Sequence, residues 1–193
     1  MRAVSVAEAA ERLRKGEVAL VPTETVVGLM ASEKGLRRVQ EIKRRDPNKP
    51  LQLLCRSAEE AFGLAEDVPP LARKLAELHW PGALTLVLDR PGGGTIGVRV
   101  PDHPVVQELL RAYGGPLYAT SANRSGEPAP SSLDEVDPRV IEETDLVVEG
   151  EPGEGTASAV VDLSGGRMEV LRPTEELDQE RLLLLAEEAG SGV

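Results

Sequence analysis

Cysteine, histidine and aromatic residues are scarce in this chain of 193 residues. The single cysteine, Cys55, excludes an internal disulfide framework, and its position after Leu53 and Leu54 predicts a buried thiol. Two histidines and no paired cysteines provide no metal-ligand spacing, so no protein side chains are identified as metal ligands. Aromatic residues make up 2% of the chain, which argues against an extended platform for stacking nucleic-acid bases.

The sequence also lacks long apolar runs and an excess of positive charge. No run reaches the length of a transmembrane helix, and the N-terminus has no apolar signal core. We therefore expect a soluble, cytoplasmic protein with no membrane partner. The net charge is -11, which repels phosphate backbones at long range, so tight binding of a long nucleic acid would require a strong local basic patch.

Short apolar runs bounded by glycine and proline alternate with helical patterns along the chain. Some neighbouring predicted strands have no helix between them, which favours a mixed sheet over a purely parallel one. The predicted fold is α/β, a single domain with a twisted mixed parallel/antiparallel sheet flanked by helices. We expect residues 1–189 to form this domain and residues 190–193 to be a disordered tail.

A local basic cluster interrupts the acidic background. Seven basic residues and two acidic ones lie between Lys34 and Lys49. The triplet from Lys43 to Arg45 is placed at a predicted helix end, where basic residues also complement the helix dipole. Interaction with the helix dipole explains Lys49 less well, because Lys49 lies beyond the predicted helix. Because arginine and lysine side chains bind phosphate oxygens, the cluster predicts a phosphate site.

Four further segments carry polar groups at predicted strand ends, where α/β proteins place their sites. Each alone is equally typical of an ordinary turn or a solvated strand face. None matches a phosphate-binding P-loop or a dinucleotide fingerprint, and no Ser-His-Asp or Cys-His set is evident, so covalent catalysis is not expected. The segments are Pro22 to Leu29, Thr95 to His103, Ala119 to Gly126, and Gly155 to Asp162, with Arg172 following a later strand.

Taken together in this order, the segments resemble those of the threonylcarbamoyl-AMP synthase family, whose core is the YrdC-like domain, in its short single-domain form. The resemblance extends from Val18 to Pro173. Each piece is short, and it is their common order that makes the resemblance specific. The similar pieces are Pro22 to Leu29 (PT-[DE]-T-x-Y-G-L), Lys43 to Leu51 (K-x-R-x-x-x-[KNH]-P-L), Trp80 to Leu88 (WPGPLTLVL), Val98 to Pro104 (V-R-x-P-x-H-P), Ser121 to Gly126 (SANxSG) and Ser158 to Asp162 (S-T-V-V-D).

The resemblance implies a nucleotidyltransferase that combines L-threonine, bicarbonate or CO2, and ATP, giving L-threonylcarbamoyl-AMP and pyrophosphate. Mg²⁺ is the implied cofactor, and tRNA or tRNA-modification proteins are implied partners. The positions that match the family motifs imply three groups of residues. The catalytic group is Lys43 and Arg45; the ATP group is Arg45, Lys49, Thr95, Ser121, Asn123, Ala129 and Arg172; the threonine group is Thr23, Thr25, Arg99, Ala119 and Ser158.

Two alternatives stay open at the level of sequence. The chain departs from the family pattern at Val27, Asp46 and Ala159, so a divergent paralogue with another carbamoylation substrate is one. The other is a module that binds double-stranded RNA or tRNA through the same basic cleft without turnover. The net charge and the scarcity of aromatic residues weigh against RNA binding.

Overall fold

Apolar runs of two to six residues form the strands of one sheet. The computed structural model describes residues 3–44, 51–151, 153 and 155–190. Within these ranges ten strands are hydrogen-bonded in the order β1-β8-β2-β3-β7-β4-β6-β5-β9-β10. The strands are β1 (Ala3–Val4), β2 (Val18–Val21), β3 (Gly28–Ala31), β4 (Gln52–Leu54), β5 (Leu84–Asp89), β6 (Thr95–Arg99), β7 (Leu117–Ser121), β8 (Leu146–Val148), β9 (Ala159–Asp162) and β10 (Glu169–Arg172).

Seven α-helices of the described chain flank this sheet, and local signals set several of their ends. Ser5 accepts a hydrogen bond from the backbone N–H of Glu8 at 3.3 Å and begins α1. Gly114 ends α5 at φ 87°, a conformation that glycine adopts without steric cost. The helices are α1 (Val6–Arg14), α2 (Leu36–Lys43), α3 (Ala58–Phe62), α4 (Pro70–His79), α5 (Pro104–Tyr113), α6 (Pro138–Glu143) and α7 (Gln179–Glu188).

The sheet contains both parallel and antiparallel pairs, which confirms the predicted mixed topology. Strand β7 pairs antiparallel with both β3 and β4, while β4 is parallel to β6 and β5 is parallel to β9. This arrangement brings together strands that are far apart in sequence. It places the ends of β3, β4, β6, β7 and β9 around one region of the sheet.

Alternate residues of the central strands point to opposite faces, and this separates core from cavity. Leu86 and Val98 pack with the buried leucines of α4 and α7, in a core cluster that also contains Cys55. Burial raises the pKa of the Cys55 thiol to about 12, so this side chain is an inert core residue, as its apolar neighbours predicted. Thr85 and Gly97, on the opposite face, line a cavity.

One feature differs from the sequence-based expectations, and the expected end of the second helix is confirmed. The segment from Pro22 to Leu29 is not only a loop after a strand, because Gly28 begins β3, which returns antiparallel to β2. Helix α2 ends at Lys43, and Arg44 caps it at φ 49°. Arg45, Lys49 and the tail from residue 191 lie outside the described residues. None of the described helices combines the length and the apolar character needed to cross a membrane.

Candidate active site

A cavity of about 370 Å³ opens on the polar face of the central strands. Strands β5 and β6 contribute alternate residues to its floor, and the ends of β7 and β9 form its walls. The cavity brings together nine of the residues that the sequence analysis assigned to a site. They are Thr23, Thr25, Thr95, Arg99, Ala119, Ser121, Ala129, Ser158 and Arg172.

Arg99 and Arg172 are the only charged residues in the described lining of this cavity. No aspartate or glutamate of the described ranges lines it, although the chain carries 33 acidic residues. Desolvation, with a smaller contribution from the positive charge of Arg99, lowers the pKa of Arg172. A guanidinium group nevertheless stays protonated at neutral pH. The cavity is therefore a local site for anions in a chain whose overall field repels them.

Arg99 is buried at 3% exposure and is held by four hydrogen bonds. Its Nε donates to the carbonyl oxygen of Gly82 at 3.0 Å, and Nη2 lies 2.6 Å from Oε1 of Glu24. The backbone N–H of Asp102 donates to the same carboxylate oxygen at 2.9 Å. A charged strand residue with a buried side chain needs such a partner. Glu24 lies within the segment from Pro22 to Leu29, but no role was predicted for it from the sequence.

Thr23 and Thr25 form a fixed turn beside Arg99. The Thr23 hydroxyl donates to the carbonyl oxygen of Val26 at 2.7 Å and accepts from the backbone N–H of Thr25 at 3.1 Å. Because that hydroxyl proton is used, the Thr25 hydroxyl donates to Thr23 Oγ1 across 2.9 Å. The Thr25 oxygen then accepts from Arg99 at 3.2 Å. Thr25 therefore orients the guanidinium group.

A second chain of hydrogen bonds crosses the other wall. Arg172 donates to the carbonyl oxygen of Ser158 and, from Nη2, to its hydroxyl oxygen at 3.1 Å. The Ser158 hydroxyl lies 3.0 Å from Thr85 Oγ1, and Thr85 donates to Oε1 of Gln52 at 2.7 Å. Sequence reasoning missed Thr85 and Gln52. The available signal was that each is a polar residue within an otherwise apolar strand.

Lys43 is buried and lies against the loop that follows β7. Its ammonium group donates to the carbonyl oxygens of Ser121 and Asn123 at 2.6 and 2.8 Å, and to Oδ1 of Asn123 at 3.1 Å. The backbone N–H of Ser125 returns a bond to the Lys43 carbonyl oxygen at 2.9 Å. Of these residues only Ser121 lines the cavity. Lys43 and Asn123 therefore support the cavity wall from behind.

Three further arginines of the basic cluster are paired with carboxylates. Arg37 contacts Glu41 at 3.0 Å, and Arg38 contacts Asp145 at 2.8 Å. Arg44 lies 3.9 Å from Glu143 and keeps 67% of its side chain exposed. These pairs leave little unbalanced positive charge on the described helix surface.

A second, larger cavity of about 930 Å³ adjoins the first and shares Thr25 and Ala157 with it. It has five carboxylate residues and two histidines in its described lining, and no lysine or arginine there. Two buried atoms of this lining, Oε2 of Glu24 and Nδ1 of His103, have no hydrogen-bond partner. The carboxylates are those of Glu24, Asp102, Glu151, Glu175 and Glu176.

Comparison with known proteins gives the family. The Sua5/YciO/YrdC family model, which is described as "Telomere recombination", matches residues 11–174. The chain belongs to the Sua5/YciO/YrdC family. This confirms the family and the α/β fold expected from the ordered segments.

Relatives of this family member carry a common name. A threonylcarbamoyl-AMP synthase of Pyrococcus abyssi is 35% identical over 178 residues, which cover 86% of this chain and 52% of the relative. A threonylcarbamoyl-AMP synthase of Stenotrophomonas maltophilia is 36% identical over 79% of this chain and 90% of its own. The crystal structure of P. abyssi Sua5 complexed with L-threonine superposes with a TM-score of 0.81 at 33% identity, over 87% of this chain and 53% of that one. This family member thus spans about half the length of the Pyrococcus relative.

Proposed function

We propose that this chain synthesises L-threonylcarbamoyl-AMP from L-threonine, bicarbonate or CO2, and ATP, with release of pyrophosphate. The observation that carries the proposal is the cavity whose described charged lining consists of Arg99 and Arg172 without a carboxylate. ATP and bicarbonate are anions, and L-threonine carries a carboxylate. Relatives of similar length and about one-third identity bear the name of this enzyme, and the Stenotrophomonas protein is one of them.

The threonine half of the proposed site surrounds Arg99. A guanidinium group binds a carboxylate by charge-assisted hydrogen bonds, and Arg99 is already oriented by Thr25 and Glu24. Four of its five N–H groups are bonded to protein atoms, which leaves one N–H of Nη1 for the threonine carboxylate. Thr23, Ala119 and Ser158 complete this half by the family resemblance, and each lines the same cavity. The similarity to a Sua5 protein that was crystallised with L-threonine supports this assignment.

The ATP group of the proposed site includes Arg172 by the family resemblance. Thr95, Ser121 and Ala129 of the same group line the same cavity, and Asn123 supports Ser121 from behind. Lys43 holds the same loop, so we propose that it acts by fixing Ser121 and Asn123 close to the phosphates. Arg45 and Lys49 stay predictions as phosphate contacts, because they lie outside the described residues.

The chemistry requires positioning and charge neutralisation more than a nucleophilic side chain. The threonine amine, in its unprotonated form, adds to CO2 and releases one proton to water, which gives a carbamate. An oxygen of that carbamate then forms a bond to the α-phosphorus, and the bond from the α-phosphorus to the bridging oxygen breaks, so that pyrophosphate leaves with the electron pair. Arg172, whose proton is fixed, offsets negative charge without proton transfer.

The described residues do not fit a metal site of their own. No group of three or more histidine, cysteine, aspartate or glutamate residues in the described ranges could hold an ion, and the described lining of the first cavity has no carboxylate. Mg²⁺ is commonly held by substrate phosphates and water, so we propose that it enters with ATP. We derive no step through it.

The product is a mixed anhydride, so a further reaction must consume it by transferring the threonylcarbamoyl group to a nucleophile. We propose tRNA as the final acceptor, through tRNA-modification proteins, and a cytoplasmic location for the enzyme. Direct RNA binding is less well supported, since Arg37, Arg38 and Arg44 are each paired with a carboxylate.

One assay tests this proposal. The protein is incubated with ATP, Mg²⁺ and bicarbonate, and pyrophosphate is measured with each of the common amino acids in turn. We expect threonine to stimulate release most strongly, and omission of bicarbonate to abolish the stimulation. Stimulation by a different amino acid would favour the divergent paralogue, and no stimulation by any of them would refute the proposed activity.

A further inference from the structure

Gln52 is a polar residue at the start of an otherwise apolar buried strand. It opens β4, whose other two residues are Leu53 and Leu54. In the sheet it is paired with Gly97 on one side and Ala119 on the other, and its side chain lines the first cavity. The family resemblance assigned no role to Gln52.

The Gln52 amide has its oxygen directed at the Thr85 hydroxyl. Arg172 can only donate, so its bond at 3.1 Å uses a lone pair of the Ser158 hydroxyl. Thr85 donates its proton to Oε1 of Gln52 at 2.7 Å, so Ser158 must donate to Thr85 across 3.0 Å. The Gln52 oxygen is thus engaged, and its two amide N–H donors have no hydrogen-bond partner among the described residues.

The space beside this amide is open because Gly97 has no side chain. A Cβ at position 97 would lie 3.5 Å from Gln52 Cβ and 3.6 Å from Thr85 Cγ2, which is ordinary van der Waals contact. Gly97 is also midway along β6 between Thr95 and Arg99. These two residues belong to the proposed ATP and threonine halves, so Gln52 lies at their junction.

We propose that Gln52 is a substrate-contacting residue whose side-chain amide donates a hydrogen bond to an anionic oxygen at the junction of amino acid and nucleotide. This inference rests on the proposed function and deepens it. The oxygen belongs either to the carbamate or to the α-phosphate, since these two groups react at that junction. A donor there holds the attacking and accepting groups in register, and its bond to a charged oxygen is stronger than one between neutral groups.

The test replaces the donor while keeping its shape. Gln52→Glu retains the oxygen that accepts from Thr85 and places a carboxylate oxygen where the amide N–H groups were. Gln179→Glu is the control for the charge change and for the loss of an amide donor. Gln179 is an exposed residue of α7 outside both cavities, and its amide N–H donates to the carbonyl oxygen of Met168 at 3.0 Å. Thermal unfolding verifies that each variant folds. Gly97→Ala is a second variant, which narrows the same space without removing a polar group.

Two measurements distinguish whether the oxygen that accepts from Gln52 belongs to the α-phosphate or to the carbamate. The first is the Kd for ATP with Mg²⁺ and no amino acid, and the second is threonine-dependent pyrophosphate release as a function of bicarbonate. If the oxygen is the α-phosphate's, Gln52→Glu raises the Kd for ATP by about tenfold or more. If it is the carbamate's, the Kd changes by less than about twofold while release falls by about tenfold or more and its dependence on bicarbonate shifts to higher concentration.

Other outcomes overturn the assignment. If Gln52→Glu gives the same results as Gln179→Glu in both measurements, the Gln52 amide contacts no substrate. If the wild type releases no pyrophosphate with any amino acid, the proposed function fails, and the Kd comparison alone then decides: an unchanged Kd refutes the role of Gln52 as well.

Thr85 is, on the same argument, a positioning residue for Gln52. Thr85→Val keeps the shape of the side chain and removes the hydroxyl that holds Oε1. We expect it to weaken the step that Gln52→Glu weakens, by a smaller factor, and Thr85→Ser to restore that step. Equal loss in the valine and serine variants would indicate a packing role instead.

Discussion

The two adjoining cavities have opposite charge, although they share Thr25 and Ala157. In the described lining, the smaller cavity carries two arginines and no carboxylate, while the larger one carries five carboxylates and no arginine or lysine. Glu24 and Arg99 form the ion pair between them, with one partner in each lining. The fold of an acidic chain thus gathers two arginines at one place and directs the nearest carboxylates to the other side, which favours anions in the smaller cavity.

Breaking the pair between the cavities should have the largest effect. Arg99→Met leaves the carboxylate of Glu24 buried without its cation, so we expect the free energy of unfolding to fall by about 3 kcal/mol. Chemical denaturation measures this. The double variant Arg99→Met with Glu24→Gln removes both charges and should recover most of the loss. A double variant that is as unstable as the single one would mean that packing, not charge, makes Arg99 important.

Removing the net positive charge of the smaller cavity should weaken nucleotide binding. Arg172→Glu places a carboxylate among groups arranged for anions, and we expect the Kd for ATP to rise about 100-fold, which corresponds to losing a strong charge-assisted hydrogen bond. Arg90→Glu, an exposed residue outside both cavities, makes the same charge change and should alter the Kd by less than about twofold at physiological salt. Similar effects of both variants would show that net charge alone governs binding.

Reducing the negative charge of the larger cavity should have a small effect of the opposite sign. Glu175→Gln with Glu176→Gln removes two negative charges from its lining. We expect ATP to bind about twofold more tightly at low salt, and the gain to vanish at high salt because such interactions are screened. Titration of ATP at two ionic strengths measures both. Weaker binding in this variant would indicate that the larger cavity takes part in nucleotide recognition.

The pH response of His79 in the larger cavity should be the subtlest difference. Burial lowers the pKa of His79, Glu176 opposes this shift, and Arg181 adds to it. A lowered folded-state pKa means that the fold favours the neutral imidazole, so stability is complete above the ordinary pKa of about 6.5 and is lost as the pH falls through the folded value. NMR titration should give a still lower pKa in Glu176→Gln, and a higher one there would contradict the role of Glu176.

Most of the fold could be predicted from the sequence because its signals are local. The apolar run from Val18 to Val21 and the glycine after Tyr113 define a strand and a helix end without reference to other residues. Strand β3 was missed because Gly28 lies shortly after Thr23 and Thr25, in a segment that was interpreted as a turn. Only its pairing with β2 and β7 makes it a strand.

The residues of the candidate site could be predicted from the sequence, but few of the contacts between them could. Nine residues assigned from the ordered motifs do line one cavity. By contrast, Lys43 was expected close to the phosphates, and the structure shows its ammonium group against Ser121 and Asn123. Nothing in the spacing of Lys43 could indicate this, because those residues are 78 and 80 positions away.

The sequence by itself determined the α/β class, the family and the residue types of the site, including the need of Arg99 for a partner. Tertiary structure alone decided that Glu24 is that partner, 75 positions away, and that Thr85 joins Gln52 to Ser158 across 33 and 73 positions. The physical reason is that local patterns fix backbone conformation, whereas a hydrogen bond between distant residues depends on the order and register in which strands pair. Strand pairing therefore decided which of the acidic chain's carboxylates face the arginines and which line the cavity beyond them.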